Sequence, residues 1–224
     1  MTAIAFDIDG TIFDCGDIVA DAFRDGARRF GRLNGYALRA ASRDEIMDIV
    51  GIPTDEIFRR LYPEVPDDKQ VELLGICQEE LSGMVRRGGG LLFDGVPRTV
   101  KSLHDDGYRL FAASNGTCEY ITAILETHGL LDYFMMPLIV IGGHIKSKSD
   151  IVRHYVENVL DTEPVIMVGD RFSDLKAARD NGIPFIGCAF GHMGSSEIED
   201  QRWIARNFND IPALIRKIEA DGDV

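Results

Sequence analysis

Cysteine is scarce and scattered in this sequence. Cys15, Cys77, Cys118 and Cys188 are its four cysteines, and no two form a Cys-x-x-Cys pair. That spacing fits reduced thiols in a cytoplasmic protein better than a disulfide framework. The five histidines show neither zinc-finger nor His-Glu-x-x-His spacing. No run is long and apolar enough to span a membrane, and the first residues lack the basic start and apolar stretch of a secretion signal. Positive charge is the other shortage: 24 Lys and Arg against 37 Asp and Glu give a net charge of −13. Such a surface repels a nucleic-acid polymer, and an anionic substrate needs a local cation to enter. What is present, 45% hydrophobic and 27% charged residues in 224, suits a globular core with a smaller companion. A monomer or weak homodimer is expected.

Short runs apolar on both faces recur at residues 4–8, 109–113, 137–141, 164–168 and 184–188, with helical patterns between them. This alternation predicts an α/β fold, a Rossmann-like, mostly parallel sheet covered by helices. Its site should lie at the carboxyl ends of the strands. Residues 15–90 break the rhythm: helical patterns cover 17–30, 43–49, 54–61 and 67–85, without a convincing strand. The expected division is a first core segment at 1–14, an inserted α-helical cap at 15–90, and the rest of the core at 91–224. Gly88-Gly89-Gly90 serves as a flexible exit from the cap or as a simple turn. The acidic end, 219–224, is expected to fray.

Four clusters carry chemistry. Asp7-Ile8-Asp9-Gly10-Thr11 sets two carboxylates at the mouth of a buried strand, where they need a cation or a shared chemical task. One can attack phosphorus and form an acyl phosphate, while Asp9 protonates a departing alkoxide and later takes a proton from water. Gly10 permits a tight turn there. Ser114-Asn115-Gly116-Thr117 follows a strand pattern; its hydroxyl and amides can donate to a phosphoryl oxygen, or can cap the next helix. In residues 144–150, Lys148 rather than Lys146 is the better candidate to hold a carboxylate ionised and neutralise phosphoryl charge. Asp170 leaves the apolar run 165–168 where a carboxylate can bind magnesium, a cation that prefers oxygen ligands. Asp174, one turn on, can orient Lys148 or bound water, or act as a helix-start carboxylate.

Taken in order, Asp7–Thr11, Ser114–Gly116, Lys148 to Val152 and Gly169 to Asp174 resemble the haloacid dehalogenase superfamily, in its phosphoglycolate phosphatase and nucleotidase-like branch with a helical cap. The resemblance implies a cytoplasmic, Mg2+-dependent phosphatase acting on a small phosphate monoester such as phosphoglycolate or a nucleoside monophosphate. Implied roles are nucleophile for Asp7, acid/base for Asp9, phosphate contacts from Ser114, Asn115 and Gly116, and charge clamp for Lys148. Magnesium would be held by Asp7, by the Asp9 backbone carbonyl and by Asp170, with Asp174 in support. A sugar phosphomutase using the same aspartates, and a phosphate-accepting signalling domain without turnover, are the alternatives. The usual Lys-Pro of sugar-phosphate members is Lys148-Ser149 here, and Cys15 stands where such phosphatases often have serine. His192, in a glycine-rich segment, has either a turn role or a substrate contact. Arg43, Arg59, Arg60, Arg86 and Arg87 are the cap's candidate cations, more naturally solvated than ligating; Phe58 and Tyr62 are expected to pack.

Overall fold

The structure, a computed structural model, describes residues 2–47, 54–160, 163–192, 197–198 and 200–223. Its main sheet has five strands in the order β4-β1-β5-β6-β7, formed by β1 (Ala3–Phe6), β4 (Arg109–Ala112), β5 (Val165–Gly169), β6 (Phe185–Cys188) and β7 (Ile204–Ala205). All four pairings are parallel. Alternate residues face opposite layers, as a pleated strand requires. Ile4, Phe6, Leu110, Ala112, Ile166 and Val168 enter one apolar cluster. Ala3, Ala5, Phe111, Val165 and Met167 enter the other. The first layer includes α5 (Val96–Asp105), α6 (Cys118–Thr127) and α9 (Ile211–Asp221); the second includes α7 (Lys148–Asn158) and α8 (Phe172–Asn181). Cover on both faces explains why the strands read as continuous apolar runs.

Between β2 (Phe13–Asp14) and β3 (Leu91–Leu92) lie, among the described residues, four helices: α1 (Val19–Asn34), α2 (Arg43–Met47), α3 (Thr54–Leu61) and α4 (Asp67–Arg86). β2 and β3 pair antiparallel, Phe13 with Leu92 and Asp14 with Leu91, so the helical insertion leaves and returns at one place beside the sheet. Its exit through Gly88 and Gly89 is a hydrogen-bonded turn, with their N–H groups donating to Val85 and Met84. Ile49, expected at the end of the second helical pattern, lies outside the described residues. Among the described residues no helix is long and apolar enough to cross a membrane.

Two expectations need correcting, and one short strand had no sequence signal. Residues 137–141 do not form a strand. The chain makes one bridge beside β4, Phe134 with Leu110, and Met135 N–H donates to Leu110 O at 2.7 Å. The next parallel rung needs an N–H from residue 137, and Pro137 has none. The far edge is instead extended by β7, too short for its periodicity to be read. The acidic end is also tied down: Glu219 accepts from Thr2 Oγ1 at 2.7 Å and from Tyr108 Oη at 3.0 Å, and α9 continues to Asp221.

Candidate active site

The carboxyl ends of β1, β4 and β5 converge, and each delivers a polar segment as pairing stops. Asp7 follows β1, its N–H still donating to Val168 O at 2.9 Å. Gly10 then takes φ +85°, and a Cβ there would fall inside the Asp170 carboxylate. Only glycine both adopts this conformation cheaply and lets the Asp170 side chain approach the turn. Ser114 follows β4 and is buried. Its hydroxyl accepts the Gly116 N–H at 3.1 Å, while the cap of α6 comes from Thr117, which accepts from Tyr120 N–H at 3.2 Å. Capping therefore does not occupy Ser114.

Lys148 is the first residue of α7, whose cap is Ser147. Its ammonium lies 2.7 Å from Asp7 Oδ1 and 2.6 Å from Asp174 Oδ1, with all three side chains buried. Lys146 is exposed. Burial opposes charge on Lys148, but Asp174 and Asp7 outweigh it and hold the amine above its ordinary value. Burial pushes Asp7 up, against the lowering effect of Lys148. It also raises Asp174 and Asp170, and the neighbouring Asp7 charge adds to both. The lysine's shift favours the ion pairs and the carboxylates' shifts oppose them. The two short contacts favour a charged lysine, which leaves excess negative charge in a dry pocket.

That excess fits a divalent cation. Asp7, Asp170 and Asp174 can present one oxygen each, all within 4.8 Å of one another. Both Asp174 oxygens are already engaged, Oδ1 by Lys148 and Oδ2 by the Arg171 N–H at 2.9 Å. Asp170 accepts the His192 N–H through Oδ2 at 2.9 Å, whereas its buried Oδ1 has no partner. A hard cation would satisfy this orphaned carboxylate oxygen beside Asp7.

Across the pocket, Asp9 Oδ1 accepts the Tyr120 hydroxyl at 2.6 Å. Burial raises the Asp9 carboxyl, with Tyr120, His192 and the Cys15 thiol opposing the shift. A carboxyl raised in this way is suited to carrying a proton. Tyr120 was not singled out from the sequence; a buried tyrosine in the first turn of α6 reads there as an ordinary core residue. Cys15 gains a meaning from the same contact. His192 donates its N–H to Asp170 Oδ2 at 2.9 Å, and its Nε2 lies 3.0 Å from Asp14 Oδ1.

The cap arginines do not converge on this pocket. Arg43 donates to Gly16 O at 3.2 and 3.1 Å, Arg59 lies 3.5 Å from Asp67, and Arg86 pairs with Glu119 at 3.0 Å. Arg60 and Arg87 are exposed. Phe58 and Tyr62 are buried and stack on each other with centroids 6.5 Å apart.

A family model described as a haloacid dehalogenase-like hydrolase matches residues 1–182. A phosphoglycolate phosphatase of Vibrio vulnificus strain YJ016 is 27% identical over 204 residues, covering 84% of each chain. A solved structure of a predicted phosphatase from Clostridium acetobutylicum superposes with a TM-score of 0.80 at 21% identity, over 96% of this chain and 98% of that one. CbbY from Rhodobacter sphaeroides in complex with phosphate gives 0.78 at 18% identity, over 93% and 95%. At these identities the solved structures establish the fold.

Proposed function

The chain belongs to the haloacid dehalogenase-like hydrolases, in the phosphoglycolate-phosphatase-like branch that carries a helical cap, and from that premise we propose that it is a magnesium-dependent phosphatase of small phosphate monoesters. Asp7 attacks phosphorus: its Oδ–P bond forms as the bond from phosphorus to the ester oxygen breaks, and the departing alkoxide takes its proton from Asp9. Water then attacks the phosphorus, the Oδ–P bond breaks, and the water's proton returns to Asp9. Inorganic phosphate and the alcohol are the products, and both aspartates are regenerated. Lys148 offsets charge on Asp7 and on the transferred group, with Asp174 holding its ammonium in place. The Ser114 hydroxyl and the Asn115 amide are assigned to the phosphoryl oxygens, and the Gly116 N–H, which donates to Ser114 Oγ, orients that hydroxyl. Magnesium, held by Asp7, Asp170 and the Asp9 carbonyl, would supply further positive charge at those oxygens.

The observation that carries this reading is the buried Asp7–Lys148–Asp174 ion-pair array next to the unpartnered Asp170 oxygen. The test is phosphate release from a panel spanning phosphoglycolate, sugar phosphates and nucleoside monophosphates, with magnesium and with chelator, for the native enzyme and Asp7→Asn. Magnesium-dependent release that Asp7→Asn abolishes while remaining folded is expected. No release from any ester refutes the reading, and phosphoryl transfer between sugar positions without release favours a mutase. The relatives' name makes phosphoglycolate one member of the panel; the identity of the alcohol is a separate question.

A further inference from the structure

The roof of the active-site pocket is built from the cap and is apolar. Val19 and Phe23 of α1, Ile57 of α3 and Leu81 of α4 face Asp7, Asp9 and Ser114 across a cavity of about 50 Å³. One water needs on the order of 10–15 Å³ of such space, so a few small groups fit under the roof. Gln78 of α4 is the polar side chain in this roof. It is only 8% exposed, and its Oε1 has no hydrogen-bond partner. Every Lys and Arg of the chain lies among the described residues. Of these, Lys148 alone lines the pocket, and it is already committed to Asp7 and Asp174.

A buried amide oxygen without a partner is costly, and natural structures keep one chiefly where a ligand or water will satisfy it. Among the described residues the roof offers the Gln78 amide and the Cys15 thiol, both neutral, and otherwise aliphatic and aromatic carbon. We infer that the leaving group accepted here is a small uncharged alcohol, carrying a hydroxyl or comparable group that hydrogen-bonds to Gln78, and that a carboxylate-bearing leaving group is disfavoured. The inference rests on the phosphatase reading and narrows its substrate. A hydroxyl both donates and accepts, so it satisfies Gln78 whichever way the amide is turned. A carboxylate can only accept. It would leave Oε1 unpaired and would exchange its hydration for carbon, with no lysine or arginine in the roof to pair with it.

Three esters of nearly equal size separate the cases: 2-hydroxyethyl phosphate, ethyl phosphate and 2-phosphoglycolate, compared by kcat/KM with magnesium. The hydroxyethyl ester is expected to exceed the ethyl ester about tenfold, the worth of one well-made hydrogen bond, and to exceed phosphoglycolate by more. In Gln78→Met, similar in length and unable to pair with a hydroxyl, the hydroxyethyl-to-ethyl ratio should fall towards one. Phosphoglycolate turned over as well as or better than the hydroxyethyl ester overturns the inference. So does a ratio that survives in folded Gln78→Met. The native ranking requires no variant, so misfolding of Gln78→Met leaves a complete test. If neither these esters nor any other member of the panel releases phosphate, the phosphatase reading itself fails and the inference with it; release in the opposite order, or from the larger esters alone, defeats the inference alone.

Discussion

Lys148→Met is the most demanding perturbation of the site, because it removes one positive charge from among buried carboxylates while nearly preserving side-chain length. The lost contacts are 2.7 Å to Asp7 and 2.6 Å to Asp174, with the lysine side chain 3% exposed and the two carboxylates 3% and 0%. Removing one partner of a buried pair costs about 3–5 kcal/mol, since the other charge is left without compensation. Here two carboxylates are left, and they have an escape through protonation. Asp7 and Asp174 already titrate above their ordinary values because of burial, and Lys148 is a lowering influence on both. Without it they rise further. A carboxyl raised by folding contributes stability that is full below the unfolded value of 3.8 and is lost as pH climbs through the folded value. The variant's deficit should therefore be large at pH 8 and shrink towards pH 5. Urea unfolding of the metal-free protein across that range measures it, with Lys146→Met as an exposed control expected to change little. A deficit under about 1 kcal/mol at pH 8, or one that grows on acidification, would refute the account of Lys148 as the charge that holds this cluster together.

Asp9→Asn should slow an alkyl phosphate about a hundredfold to ten-thousandfold, but acetyl phosphate much less, because acetate leaves without a proton. Tyr120→Phe, which removes the 2.6 Å hydrogen bond to Asp9, should show the same bias in smaller measure; equal losses on both substrates would end the assignment of Asp9 as proton donor. Native-state alkylation should label Cys118, the exposed thiol, and spare Cys15, Cys77 and Cys188. Burial raises the titration of all three and keeps them protonated as well as inaccessible. Labelling of Cys15 at a comparable rate would show the cap standing open over the pocket.

The chemistry of this protein is written locally, and for that reason much of it was legible. A carboxylate directly after a doubly apolar strand, followed by a glycine, limits what residues 7–11 can do, and the same holds for Asp170 after β5. The parallel sheet was legible because strands buried on both faces must be apolar throughout. Residues 137–141 met that condition and still formed no strand, since pairing also needs an amide that Pro137 lacks. Apolar character reports burial, and the hydrogen-bonding partner reports pairing.

Tertiary structure decided everything that depends on who meets whom. Asp174 and Asp7 share one ammonium although they are far apart in sequence, and Tyr120 became the partner of Asp9 only because the fold brings the start of α6 to the turn after β1. The sequence offered five arginines as cap cations, yet Arg43, Arg59 and Arg86 turn to Gly16, Asp67 and Glu119, and the pocket roof falls to Val19, Phe23, Ile57, Leu81 and Gln78. Helical periodicity tells which face of α1 or α4 is buried, but whether that face meets another helix or the reacting centre is fixed by how the cap seats on the core. The sequence by itself determined which carboxylates, lysine and hydroxyl stand at the strand ends; the fold determined the partners and the burial that set their charge.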